Sequence, residues 1–286
     1  VTPPTVVHVS DTHLGASGGP ERGEAGYRNW SRFVAAMDAR RPDLVVVTGD
    51  LVVDDPDDAD DRHLARRLLG RLSTPWAVVP GNHDVGDHAV RSGLPSDWHG
   101  TLVSEERVRA WEREWGRSWW SRSIGSWRVV GLNSQLFASG TASEDEQWRW
   151  LTRLASEPAV PTLVVMHESL RRPESPAEPD DWASIPTSAA ERLEHLLRQC
   201  DARIIGTGHT HRFVDVAVDG LRHVTAPSLA GPIPYRADMT QPSGDPRPGW
   251  VVLTLDGPGA ATLRHETLEA DDTALAISGS GSSRAG

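Results

Sequence analysis

Apolar residues in this chain gather in short runs that break at polar residues, and the runs follow two rhythms. Five are strand-like: Val6-Val7-His8-Val9, Leu44-Val45-Val46-Val47, Trp76-Ala77-Val78-Val79, Leu163-Val164-Val165-Met166 and Ile204-Ile205. Short β-branched runs that end at Gly, Pro or Asp read as buried strands emptying into tight loops. Between them the spacing turns helical. Trp30, Phe33, Val34 and Met37 share one face of a helix closed by Arg41-Pro42, and Leu64, Leu68, Leu69 and Leu72 share one face of the next. This alternation over residues 5–85 predicts βαβ units and a parallel sheet, an α/β fold.

Residues 86–126 interrupt the rhythm. They are rich in Trp, Arg and Glu, with one helix from about 105 to 120 carrying Val108, Trp111 and Trp115. Two readings stand: an insertion capping a site, or a surface helix packed by its tryptophans. Trp at helical spacing favours the second. A strand follows at 127–133. Ser143 with Glu146, and Ser188 with Glu191, have capping-box spacing. They precede helices bearing Trp148, Leu151 and Leu154, and Leu193, Leu196 and Leu197. Residues 171–186, with several prolines and acids, read as an ordered loop or lid. Beyond His211, runs at 213–218, 222–226, 249–255 and 261–265 lack helical spacers and predict antiparallel strands. The whole reads as one domain over 1–270 and a flexible Ser/Gly tail over 271–286.

Composition narrows the class. The 286 residues suffice for one large α/β domain or two small ones, and the longest apolar runs are about five residues. A membrane span needs ~20. Formal net charge is −11, and all 29 basic residues are arginine. An acidic surface disfavours duplex nucleic acid, whose binding leans on neutralising phosphates. It does not disfavour a small phosphate ester, because bound cations can dominate the local field. The single cysteine, Cys200, excludes an intrachain disulfide framework and suits a reducing compartment. The absence of lysine suggests GC-rich bacterial coding. No charged-then-apolar leader opens the chain, so the expected setting is the bacterial cytoplasm; a leader removed ahead of Val1 stays open.

The chemistry sits where the five strands end. The first run leads to Asp11-Thr12-His13, the second to Gly49-Asp50 and the third to Pro80-Gly81-Asn82-His83-Asp84. The fourth stops at His167, and the fifth leads to Gly208-His209-Thr210-His211. Ligands in open α/β sheets bind beyond the carboxyl ends of strands, and this density of Asp, Asn and His there reads as a metal site. The i, i+2 pairs Asp11/His13 and His209/His211 put both side chains on one face of extended backbone. Gly49, Gly81 and Gly208 let the chain turn sharply. Mixed carboxylate and imidazole donors suit Zn, Mn or Fe. Two ions would take about seven or eight ligands, with Asp50 as the natural bridge. The other histidines get plainer readings: His8 buried in its strand, and His63, His88, His99, His195, His223 and His265 outside any motif, with surface positions favoured for His88 and His99. Cys200 reads as core, the aspartates of 54–61 as solvated. Arg171 and Arg172 read as ordinary surface arginines ahead of a phosphate clamp.

The ordered set Asp-x-His, Gly-Asp, Gly-Asn-His-Asp, His and Gly-His-x-His over residues 5–215 resembles the calcineurin-like metallophosphoesterase superfamily. The resemblance implies a four-layer αββα sandwich of two mixed sheets, with a dinuclear centre at the carboxyl ends of the strands. It implies that the first of two divalent ions takes Asp11, His13, Asp50 and His211, and the second Asp50, Asn82, His167 and His209. His83 would face the substrate phosphate, held by Asp84, and Asp54 occupies a supporting position. The activity implied is hydrolysis of a small phosphoester by a metal-bridging hydroxide.

Within the superfamily, Gly49-Asp50-Leu51-Val52-Val53-Asp54-Asp55 lacks the arginine of protein Ser/Thr phosphatases, and no tyrosine stands near Asp50 as in purple acid phosphatases. The likeness is to the class III cyclic-nucleotide and glycerophosphodiester phosphodiesterases, so small phosphodiesters are the expected substrates. That group usually has His-His-Pro at the fourth motif. Here Met166-His167-Glu168-Ser169 keeps the metal position and changes the neighbour expected to face substrate. A phosphomonoesterase or nucleotidase is the alternative; a nuclease fits the acidic charge less well, and a non-catalytic scaffold has no need of the full ligand set.

Overall fold

The computed structural model describes residues 2–15, 24–53, 55–88, 100–171, 181–233, 235, 241–257 and 259–268. The first half of the chain forms β1 (Thr5–Val9), α1 (Glu24–Arg40), β2 (Leu44–Thr48), α2 (Ala59–Leu69), β3 (Trp76–Val79), α3 (Asn82–Val85), α4 (Glu105–Trp115), β4 (Trp120–Ile124) and β5 (Trp127–Gly131). The second half forms α5 (Ala142–Ala155), β6 (Thr162–Val165), α6 (Thr187–Gln199), β7 (Ala202–Thr207), β8 (Val214–Val218), β9 (Leu221–Thr225), β10 (Gly249–Asp256) and β11 (Ala260–Thr267). One sheet runs β11-β10-β1-β2-β3 and the other β4-β5-β6-β7-β9-β8. In the first, β1, β2 and β3 are parallel, with the β10/β11 hairpin antiparallel beside them. In the second, β5, β6, β7 and β9 are parallel, flanked by antiparallel β4 and β8.

Side-chain alternation along the strands builds three apolar layers. On one side of the first sheet, Val7, Val9, Val45, Val47 and Val78 pack against Trp30, Phe33 and Met37 of α1, Leu68 and Leu69 of α2, and Val108 and Trp111 of α4. The opposite faces of the same strands present Val6, Leu44, Val46 and Ala77, which meet Val129, Leu163, Val165 and Ile204 of the second sheet. Beyond that sheet, Val130, Val164 and Ile205 pack on Leu151 and Leu154 of α5 and Leu193 and Leu197 of α6. The result is helix, sheet, sheet, helix: the αββα sandwich. Strands buried on both faces explain the unbroken valine runs, since neither face can be polar.

Several local expectations shift. The Glu105–Trp115 helix stops at Gly116 (φ +88°), five residues short, and Trp120–Ile124 is an edge strand instead. Trp120 lies over Gly131, where a Cβ would come within 2.3 Å of its ring. Trp111 of α4 is part of the core and Trp115 packs against it. Thr141 caps α5, its hydroxyl accepting from the Glu144 amide, while Ser143 is drawn off to the Glu105 carboxylate of α4. Pro186 precedes α6 with no side-chain cap, so Ser188 is inside the helix. The late strands pair antiparallel as expected, in two hairpins that join different sheets, and β9 also runs parallel to β7. Cys200 is buried at the end of α6. Residues 271–286, His99, Arg172 and Asp54 lie outside the described residues.

His8 is the polar exception in the inter-sheet layer. It is fully buried, its Nε2 stands 2.9 Å from Thr48 Oγ1, and its ring lies beside Gly206. Burial pulls its pKa down to about 4, against the opposing pull of Asp11. The unfolded chain therefore takes up a proton near pH 6.5 that the folded chain refuses until about pH 4. Stability should be complete above pH 6.5 and fall as pH drops through that window, by about 3 kcal/mol at 1.36 kcal/mol per pKa unit. Urea unfolding of metal-stripped protein at pH 7, 5.5 and 4.5 tests this. The His8→Gln variant should lose that share of the pH dependence; an unchanged slope would show that His8 is not its source.

Candidate metal centre

The carboxyl ends of β1, β2, β3, β6 and β7 meet at one edge of the sandwich, three from one sheet and two from the other. The backbone there is unusual. Among the described residues nine non-glycine positions have positive φ, and five of them are Asp11 (52°), His13 (42°), Asp50 (50°), His209 (70°) and His211 (54°). Left-handed backbone costs an L-residue energy and collects at functional sites. Here it turns side chains inward just past the last strand residue. The loops after β1 and β2 are tied together by Asp11 N–H to Gly49 O (3.1 Å), His13 N–H to Asp50 O (3.0 Å) and Leu14 N–H to Leu51 O (2.8 Å).

The three motif glycines serve two purposes. Only Gly49 needs left-handed backbone, with φ +88°. Gly81 and Gly208 are there for close approach: a Cβ would sit 2.3 Å from Asp50 Oδ1 at the first and 1.8 Å from Ser10 Oγ at the second.

Seven side chains named from the strand ends come together. Asp11, His13, Asp50 and His211 offer donor atoms within 4.8 Å of one another, and Asp50, His167 and His209 form a second such group. Asn82 Oδ1 joins the second, 3.1 Å from His167 Nε2. Asp50 is common to both groups. Each histidine is held from behind by a backbone carbonyl. His13 Nδ1 meets Val53 O (3.2 Å), His167 Nδ1 meets Thr48 O (2.6 Å) and His211 Nδ1 meets Gly231 O (2.7 Å). His209 is reversed, its Nε2 on Trp182 O (3.0 Å) and its Nδ1 facing His167. A carbonyl behind an imidazole fixes the proton there and leaves the other nitrogen's lone pair for a metal. Oxygen and nitrogen donors alone, with no thiolate, fit borderline divalent ions.

Electrostatics points the same way. Burial pushes Asp11 up, but His211 and His167 outweigh it and hold the carboxyl at about 2. Burial likewise opposes Asp50, yet His167 and His83 keep it well below the usual carboxylate range. His13 is lowered to about 4 by burial and by His83, so it is a neutral donor. His167 rises to about 10 because Asp50 outweighs its burial. A divalent ion would take over that stabilising role and displace the His167 proton.

The remaining named residues separate. His83 lines the open side: its side chain is 30% exposed and its Nε2 is 3.9 Å from Asp50 Oδ2. Its backbone N–H donates to Asp50 Oδ1 at 3.0 Å. Asp84 bonds the backbone of two loops. Its carboxylate accepts from the amides of Gly81 (2.9 Å), Leu51 (3.0 Å) and Val52 (3.3 Å), lashing the loop after β3 to the loop after β2. Burial and neighbouring Asp50 raise it to about 7, against the pull of those amides. Arg171 is exposed and paired with Glu194 on α6, the surface role favoured for it. Two residues escaped the sequence reading. His88 is buried, not a surface residue, with Nε2 3.2 Å from Glu168 Oε2. Glu168 is itself fully buried and so does not face substrate. Only the departure at the fourth motif marked the spot.

Comparison with known proteins agrees with this picture. A sequence profile described as calcineurin-like phosphoesterase matches residues 4–213. The chain is similar to a probable cyclic nucleotide phosphodiesterase of Psychrobacter sp. (strain PRwf-1), 26% identical over 240 residues, covering 82% of this chain and 65% of the relative. It thus spans less than two thirds of that relative's length. It is also similar to the glycerophosphodiester phosphodiesterase GpdQ of Enterobacter lignolyticus (strain SCF1), 26% identical over 251 residues, 85% of this chain and 84% of the relative. A dimetal phosphatase structure from Danio rerio shares the fold, with TM-score 0.57 at 14% identity over 93% of this chain and 99% of that one.

Gly208 provides a test of the close approach. Gly208→Ala would drive a methyl group into Ser10 Oγ and Asp11 Oδ2. Overpacking of this kind costs ~1–3 kcal/mol, and displacing Asp11 should cost an ion. Gly220→Ala is the control: φ is +82° but the space is open, so only strain is added. Thermal melts and metal content by mass spectrometry should show both effects at Gly208 and a small stability loss alone at Gly220. Full metal content in Gly208→Ala would rule out the tight contact.

Proposed function

We infer the activity from membership: the chain belongs to the calcineurin-like phosphoesterase family, whose profile spans most of it. The proposed reaction is metal-dependent hydrolysis of a phosphoester, with small phosphodiesters as substrates. The observation that carries it is Asp50, shared between two donor groups at the meeting point of two sheets. The phosphodiesterase names of both relatives support the diester preference.

Asp11, His13, Asp50 and His211 would hold one ion, and Asp50, Asn82, His167 and His209 the other, with Mn, Fe or Zn as the candidates. Two such ions lower the pKa of water toward ~7 and offset charge on phosphoryl oxygens. The two aspartates balance only half the charge of two divalent ions, so the loaded site is cationic and suits an anionic ester. The chain's own part is to hold that geometry and to present His83 at the mouth, where its imidazole reaches a phosphoryl oxygen or the departing alkoxide. Asp84 keeps the His83 loop in register with Asp50. The described residues contain no helix long and apolar enough to cross a membrane.

Two measurements test this reading. Under Mn²⁺, bis-p-nitrophenyl phosphate should turn over faster than p-nitrophenyl phosphate; turnover of the monoester alone would favour the phosphomonoesterase alternative. Asn82→Ala should weaken the second ion and be partly rescued by excess metal. His83→Ala should keep both ions while turnover falls ~10²–10⁴-fold on a substrate whose leaving group needs a proton. Loss of an ion in His83→Ala would reassign this loop.

A further inference from the structure

Glu168 follows His167 directly, and His88 follows Asn82 by six residues, so each sits just beyond a candidate donor of the second ion. Those two donors come from different sheets, His167 from the end of β6 and Asn82 from the end of β3. The Glu168 carboxylate is enclosed and held from two sides. Gln135 Nε2 donates to Oε1 at 2.8 Å, and His88 Nε2 lies 3.2 Å from Oε2, an ion-pair distance outside hydrogen-bond geometry. The Glu168 amide is fixed as well, donating to Ser134 Oγ at 3.2 Å. All three side chains are buried; His88 retains 3% of its side-chain surface and Glu168 none. Asp87, the residue before His88, is itself anchored: it bridges Leu102, with Asp87 N–H donating to Thr101 O and Val103 N–H donating to Asp87 O. The pair thus ties the loop bearing Asn82 to the strand end bearing His167.

We propose that His88 and Glu168 are positioning residues for the second ion, an inter-sheet latch that keeps Asn82 Oδ1 and His167 Nε2 at coordinating distance. The proposal rests on the dinuclear reading above. Neither residue is a ligand and neither meets substrate. A carboxylate in place of a substrate-facing neighbour at the fourth motif is then a trade: a contact to substrate is exchanged for a brace across the sheets. The prediction is asymmetric. The first group takes Asp11 and His13 from β1 and His211 from β7, and Asp50 serves both groups; of the donors, only Asn82 and His167 adjoin the latch. Loss of the latch should therefore loosen one ion and spare the other.

The test is a chelator titration of the whole 286-residue chain loaded with Mn²⁺, with bound ions counted by electron paramagnetic resonance and folding checked by thermal melts. Wild type should hold two ions. His88→Leu should release one at ~10–100-fold lower chelator strength, the usual consequence of losing an outer partner of a ligand, while the other ion is held as in wild type. His88→Gln keeps a polar side chain beside Glu168 and should recover most of the loss, which a purely space-filling role would not produce. Should His88→Leu fail to fold, Glu168→Gln, which keeps the size of the side chain, is read in its place. Equal weakening of both ions, or variants that hold both as tightly as wild type, would overturn the latch and leave the dinuclear reading standing. A wild-type chain that holds one ion overturns both.

Discussion

Asp50 is the point at which the two halves of the sandwich are joined chemically as well as by packing. Its carboxylate, 2% exposed, accepts the His83 amide on one oxygen, which also lies 3.3 Å from His167 of the opposite sheet. The other oxygen faces His13 and His83. A carboxylate that buried, in an apolar sandwich, is tolerable only when surrounded by donors. The rest of the edge can be understood as what keeps those donors in place: left-handed backbone at five positions, glycines where chains nearly touch, and Asp84 lashing two loops together.

The relation between stability and function follows from this. Strained turns and a buried cluster of acids and imidazoles are expenses that a fold without a ligand would shed. The three apolar layers supply the rigidity that tolerates them. Val46 and Leu163 both belong to the inter-sheet layer, a few residues before Asp50 and His167, so the separation of the sheets is set by packing close to the site. The strand ends are consequently held in position before any ion arrives, which is the condition for tight and selective binding.

How much of this could be read from the residues alone depends on range. The five strand ends were legible because each motif is local: a valine run, a break, then Asp, Asn or His. The helices with apolar stripes were legible for the same reason. What was hidden is whatever one segment does to another. Ser143 has capping-box spacing, yet Glu105, distant in sequence, takes its hydroxyl and moves the cap to Thr141. Asp84 is adjacent to His83 but bonds the backbone at 51 and 52. His88 has no apolar pattern around it to announce burial, and its partner is Glu168. Gly208 gives no sign that its missing side chain is needed by Ser10. Each miss is a contact between distant segments, where periodicity carries no information.

The carbonyls behind the four imidazoles extend this point. Thr48, Val53, Trp182 and Gly231 contribute main-chain oxygen, which every amino acid possesses. Exchanging the side chains at these positions leaves the acceptor in existence, so a survey of single substitutions would pass over them. Adding or deleting one residue in the same loops would move the oxygen out of reach and leave an imidazole free to rotate or to take its proton on the wrong nitrogen. The centre is thus tolerant of spelling and intolerant of length. Its outer support is inherited as a set of loop lengths, invisible to any comparison that counts identities.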